Sequence, residues 1–148
     1  MYANILVPTD GSRLSDKAVK EAVMLARMAG KAKILLFHVV APYQMPVYAE
    51  GMTLPSMPRE RALKTSARKA GRILSAAEKK VVAAKVPVSR AWAISGSPQD
   101  AIVEIARKRR CDLIVMASHG RRGLSRLLLG SETQAVLSRV KVPVLVVR

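Results

Sequence analysis

Apolar positions along this chain follow two rhythms. Continuous runs occupy Asn4 to Val7, Lys33 to Val40, Val86 to Ile94, Leu113 to Met116 and Val142 to Val147. Between them, apolar residues recur every three or four positions. The runs read as short strands buried on both faces, and the spaced segments as helices packed along one stripe. Leu14, Ala18, Ala22, Leu25 and Ala29 form the first stripe, with Ser12 or Ser15 as cap, Asp16 in the first turn and Gly30 at the end. Leu63, Ala67, Ala70, Leu74, Ala77 and Val81 form a longer one over Arg59 to Ala84, where Gly71 weakens continuity. Ser97-Pro98 opens a third helix as N-cap and first residue, with Ile102, Ile105 and Ala106 facing inward. A fourth runs from Ser131 to about Val140.

Strands alternating with helices predict an α/β fold, a doubly wound parallel five-stranded sheet of Rossmann-like type with helices on both faces. Residues 41–58 break the pattern with four prolines, three methionines and two tyrosines, and read as a long surface loop, either a lid, a partner contact or a plain linker. No linker divides the chain, so one domain over 1–148 is expected. On such sheets ligands bind beyond the strands' carboxyl ends, where the winding reverses. Two loops there carry chemistry: Pro8-Thr9-Asp10-Gly11-Ser12 and Ala117 to Ser131. A strand order of 3-2-1-4-5 would make them neighbours.

Composition narrows the class. Half the residues are hydrophobic but only 3% are aromatic, which predicts an aliphatic, alanine-rich core. The single cysteine, Cys111, excludes an internal disulfide and fits a reducing compartment. The start lacks a basic segment followed by an apolar one, and no run approaches the ~20 apolar residues of a membrane span. A cytoplasmic protein without a membrane span is expected. The formal charge of +16 changes the picture more, because such a field draws nucleotides, nucleic acid or anionic lipid. Nucleic acid is the less favoured partner: stacking aromatics and RNA-binding signatures are missing, and Arg107 to Arg110 is explained as a helix end.

Several chemistries are excluded by pattern. There is no G-x-x-x-x-G-K-[ST], and no G-x-G-x-x-G after the first strand. His38, His119 and one cysteine make no zinc set, and no serine–histidine–acid arrangement is implied. What remains is a glycine-containing loop between a strand and a helix N-terminus, which is how α/β proteins cradle an anion. Gly120 and Gly130 permit close backbone approach to phosphate, Ser131 offers its N–H and hydroxyl, and Arg121, Arg122 and Arg126 supply charge. Asp10 either takes ribose hydroxyls, helps hold a divalent cation against phosphates, or caps the first helix.

Pro8-Thr-Asp-Gly-Ser12, His38-Val39, Gly96-Ser-Pro98, Ala117-x-x-Gly120 with nine residues to Gly130-Ser131, and the terminal Val142-Pro-Val-Leu-Val-Val147 together resemble the universal stress protein family over essentially the whole chain. The resemblance implies the 3-2-1-4-5 sheet, related to the adenine nucleotide alpha hydrolase-like folds. The family's ATP-binding branch carries G-x-x-G-x9-G-[ST]; here Ala117 replaces the first glycine. It further implies ATP, or AMP or ADP, with Mg²⁺ or Mn²⁺. Adenine would lie near Pro8 and Met116 and be read by the Val39 backbone, with Thr9 also at the cofactor site. Asp10 and Ala117 would take the ribose, and Gly120, Arg121, Gly130, Ser131, Glu132 and Thr133 would surround the phosphates. A homodimer through the C-terminal strand, Val142 to Val147, is also implied. No general base is placed to activate water, so the expectation is a nucleotide-dependent stress or signalling module rather than an enzyme. A polyanion-binding protein and a slow ATPase are the alternatives.

Overall fold

Nine elements follow one another in strict alternation in the computed structural model, which describes residues 1–43, 58–120 and 129–148. They are β1 (Asn4–Pro8), α1 (Arg13–Ala29), β2 (Lys33–Val40), α2 (Arg59–Ala83), β3 (Val88–Ile94), α3 (Pro98–Lys108), β4 (Leu113–Ala117), α4 (Ser131–Arg139) and β5 (Val144–Val147). The strands form one parallel sheet in the order β3-β2-β1-β4-β5, as expected. Side chains alternate across it. Ile5, Val7, Ile34, Leu36, Leu113 and Val115 pack with α1 and α2, whereas Leu6, Leu35, Phe37, Ile114 and Met116 pack with Ile102, Ala106 and Val136 of α3 and α4. Burial on both faces is why β1, β2 and β4 read as unbroken apolar runs.

The differences from the expected elements have local causes. β3 and β5 each begin two residues late, after Pro87 and Pro143, which have no N–H for the ladder. Their carbonyls still accept from Ile34 N and Ile114 N, at 2.9 and 3.0 Å. In α1 the buried side chains are Ser15, Ala18, Val19, Ala22 and Ala26, so the stripe centres on small residues while Leu14 and Leu25 flank it, half-buried. In α2 only Ala70, Leu74, Ala77 and Val81 are buried; Leu63 is 51% exposed and Ala67 is exposed, because the helix outruns the sheet beneath it. Gly71 does not interrupt that helix, and a Cβ there would meet nothing within 4 Å. Ser97 does not cap α3 with its side chain; its hydroxyl donates to Asp100 at 2.6 Å instead.

Helix ends are set by backbone bonds. Ser12 caps α1, accepting from Ser15 N at 3.1 Å, and Gly30, at φ 76°, closes it. α2 and α3 both end in a Schellman motif. Lys85 N donates to Val82 O and Val86 N to Val81 O; Arg110 N donates to Arg107 O and Cys111 N to Ala106 O. The left-handed position, usually glycine, is held by Lys85 (φ 58°) and Arg110 (φ 52°). Asp112 locks the central pair of strands, accepting from Ala3 N at 2.8 Å and Asn4 N at 2.9 Å. Most of the 41–58 loop, and the arginines at 121, 122 and 126, lie outside the described residues.

Candidate functional site

From β1 the chain winds outward through β2 to β3; it then returns to place β4 on the other side of β1. The loops leaving β1 and β4 therefore part in opposite directions, and a cleft of about 980 Å³ opens between them. It is lined by Pro8, Thr9, Asp10, Val39, Met116, Ala117, Gly120, Gly130, Ser131, Glu132 and Thr133. Every described residue named from the sequence as a ligand contact is thus at the cleft; Arg121, Arg122 and Arg126 lie outside the described residues.

Each wall is fixed by short-range chemistry. Thr9 N donates to Phe37 O at 2.8 Å, and the buried ring of His38 places Nδ1 2.8 Å from Thr9 O. A carbonyl only accepts, so that nitrogen carries hydrogen. The buried hydroxyls of Thr9 and Ser15 meet at 3.0 Å, and Gly11 N donates to Thr9 Oγ1 at 3.3 Å. Gly11 adopts φ 76°, a left-handed turn that suits glycine. Asp10 does not cap α1, whose N-cap is Ser12; its carboxylate shapes the preceding turn instead. Its Oδ1 accepts from Ser12 N at 2.9 Å in the turn, while Oδ2 sits 3.1 Å from where a Cβ on Gly120 would stand. The β1 loop and the glycine loop therefore meet at that carboxylate.

On the opposite wall Gly130 is the N-cap of α4, extended at φ −61° and ψ 152°, and gives the helix no side-chain cap. The first-turn N–H groups of α4 end at the cleft, with the positive end of the helix dipole. A Cβ on Gly130 would lie 3.2 Å from His119 Cα, His119 Cβ and Ser118 O, so glycine is required by the loop itself as well as by any ligand. Ser118 anchors this corner: its N–H donates to Val147 O at 2.8 Å, and its carbonyl accepts from Gly130 N at 2.8 Å and from Thr133 Oγ1 at 3.1 Å. Thr133 also donates to Ala117 O at 3.1 Å and is 1% exposed. Its hydroxyl hydrogen is directed at these carbonyls, so Thr133 acts by tying α4 to β4 rather than by donating to a ligand.

Residues the sequence reading passed over also line the cleft: Ala41 and Pro42 after β2, Ser95, Gly96 and Pro98 at the start of α3, and His119 beside Gly120. The signal was available, since every strand of a parallel sheet ends on the same edge. Glu104 and Cys111, both away from the cleft, depart from their ordinary pKa values. The Lys108 ammonium, hydrogen-bonded to Glu104, lowers that carboxyl, and burial pushes the Cys111 thiol up. Among the described residues, no group of three or more His, Cys, Asp or Glu is placed to hold a metal ion. Nor is any helix among them long and apolar enough to cross a membrane.

Sheet order, reversal point and cleft together define a doubly wound α/β protein with a ligand-sized cavity at its switch point. The family model for the universal stress protein family matches residues 1–148, and the chain belongs to that family. A universal stress protein of Methanocaldococcus jannaschii is 31% identical over 149 residues, spanning all of this chain and 83% of that one. Another, from Thermus aquaticus, is 32% identical over 148 residues and the full length of both. Among solved structures, a hypothetical protein of Methanocaldococcus jannaschii superposes with a TM-score of 0.75 at 29% identity, covering 99% of this chain and 96% of that one. A universal stress protein described in complex with cAMP gives a TM-score of 0.71 at 27% identity, covering 99% and 97%.

Proposed function

We propose that this chain binds an adenine nucleotide, ATP foremost, in the cleft between β1 and β4, and serves as a nucleotide-dependent stress-response or signalling module. One observation carries the reading: the uncapped N-terminus of α4, entered through Gly130, faces the Asp10 carboxylate across Gly120 within one cavity. Converging N–H donors suit phosphate, and a carboxylate in the same cleft suits ribose hydroxyls. The cavity lies at the upper end of the roughly 300–1,000 Å³ common for small-molecule sites. A family relative described with cAMP bound supports an adenine ligand.

In this reading adenine lies against Pro8, Thr9 and Met116 beside the Val39 backbone, and Asp10 and the Ala117 backbone take the ribose. Alanine is the smallest departure from the family's glycine and leaves a backbone contact in place; the Ala117 carbonyl has a second lone pair beyond the one Thr133 uses. Phosphates rest on the backbone of Gly120, Gly130, Ser131 and Glu132, with Arg121 adding charge and Thr133 holding the corner. Mg²⁺ or Mn²⁺ enters on the phosphates, as part of the nucleotide complex. The module is cytoplasmic, one domain over 1–148, and binds rather than turns over its ligand. Its open edge at β5, where Leu145 is 38% exposed, pairs with a second copy to form a homodimer. Sedimentation checks that: Leu145→Lys is expected to give monomers, and an unchanged dimer rules this edge out.

Calorimetric titration with ATP and Mg²⁺ tests the central reading. Saturable one-site binding is expected, and no heat with ATP, ADP or AMP from folded protein overturns it. The +16 charge and the exposed Arg61, Lys64, Arg68 and Lys69 of α2 favour a second reading, polyanion binding. A mobility shift that is steeply salt-dependent and untouched by Gly120→Ala would support it.

A further inference from the structure

We propose that His119 is a charge-switching contact to the nucleotide's phosphates, so that phosphate binding is coupled to protonation of this imidazole; the assignment rests on the nucleotide reading above. His119 lines the cleft directly before Gly120, and its Cα and Cβ stand 3.2 Å from the position a Cβ of Gly130 would take. That places it at the mouth of α4, where the phosphates are read to lie. The backbone at this point is rigid, because the preceding residue, Ser118, is held by β5, Gly130 and Thr133. The side chain is half-buried and keeps access to solvent.

The local bonding accommodates both charge states. His119 Nδ1 lies 3.0 Å from Ser118 Oγ. A serine hydroxyl donates to a neutral ring nitrogen and, after rotating, accepts from a protonated one. Protonation therefore breaks no protein hydrogen bond. His38, also at the cleft, differs: its Nδ1 faces the Thr9 carbonyl, it is buried in the sheet, and it sits on the β2 side. Among the described residues, the acidic groups lining the cleft are Asp10 on the β1 loop and Glu132 in the first turn of α4, where the positive end of the α4 dipole also lies. A phosphate dianion arriving at the N-terminus of α4 beside His119 favours the charged imidazole. Binding then takes up a proton, and the affinity for phosphorylated ligands rises as pH falls through the range where histidine titrates.

Binding of AMP, ATP and adenosine is measured between pH 5.5 and 8.0 for the wild-type protein, His119→Gln and His119→Lys. The ligand's own phosphate titration is common to all three proteins, so the wild-type-to-variant ratio isolates the residue. Expected is a His119→Gln penalty for AMP and ATP of about 10-fold at pH 5.5, the scale of one charge-assisted hydrogen bond, shrinking towards none at pH 8.0. His119→Lys keeps tight binding at pH 8.0. Adenosine, which has no phosphate, binds all three proteins alike. A penalty that is the same at both pH values, or that adenosine shares, overturns the assignment while leaving the nucleotide reading intact. Wild-type protein that binds none of the three ligands at any pH overturns both.

Discussion

Gly120 and Gly130 look alike in the sequence, yet a side chain at each would meet different things. At Gly120 a Cβ would press on Asp10 Oδ2, a side-chain atom, at 3.1 Å. At Gly130 it would press on the backbone of residues 118 and 119 at 3.2 Å. Gly120→Ala is therefore the cleaner probe of the cleft. We expect it to weaken ATP binding at least tenfold while the thermal midpoint stays within about 2 °C, because only a carboxylate must swing aside. Gly130→Val is expected to lose both binding and several degrees of stability. Melting curves alongside titrations separate the two. Thr133 is the opposite case, a polar side chain spent on structure. Thr133→Val leaves Ala117 O without its side-chain donor and removes a buried bond to Ser118 O. A loss of about 1–3 kcal/mol is expected, read by urea unfolding, with weaker ATP binding as the corner loosens. Stability equal to wild type would refute that role.

At the level of the helices and strands, the ends carry the information. Lys85 and Arg110 both sit in left-handed conformations that tax a side chain, and both are followed by a buried residue, Val86 and Cys111, packed back on its helix. Replacing either by glycine should raise stability by about 0.5–1 kcal/mol, the relief of strain less glycine's greater freedom when unfolded. Thermal scans of Lys85→Gly, Arg110→Gly and the double variant check this, and the gains should add because the sites share no partner. The same comparison shows what could be read from the chain. The alternation of continuous and periodic apolar runs was enough for a parallel sheet and the two loops at its carboxyl edge, because burial on both faces leaves so clear a pattern at Ile5 to Val7 or Ile114 to Met116; the strand order came with the family resemblance. The alternation was not enough for the helix faces. Leu14 and Leu63 look like core residues, but how far α1 rolls on small alanines and how far α2 overhangs the sheet depend on tertiary packing. Nor could spacing reveal that the Thr133 hydroxyl turns inward, or that His119 reaches the cleft.

For the whole molecule, charge is the dominant feature. Five of the ten acidic residues form ion pairs with a cation among the described residues, in exposed or half-buried positions, and with 26 Lys and Arg in the chain most of the positive charge stays uncompensated. Such a molecule repels itself at low salt, where the screening length is about 30 Å, and much less at 0.15 M, where it is about 8 Å. We expect the thermal midpoint to rise over that range while the association rate of ATP falls, since the field that strains the fold also gathers the ligand. A midpoint independent of salt would mean that the charges are too dispersed to matter.

One hydrogen bond ties the two ends of this system together. The amide of Ser118 donates to Val147 in the last strand, while the carbonyl of the same residue accepts from Gly130 N at the corner that opens α4. Fraying of the terminal strand and loosening of the ligand corner therefore share a single hinge pin. In deuterium-exchange measurements, saturating nucleotide should slow exchange at Ser118 as well as in the loop around it. A C-terminus trimmed back through Val147 should in turn release ligand faster, although no residue removed touches it.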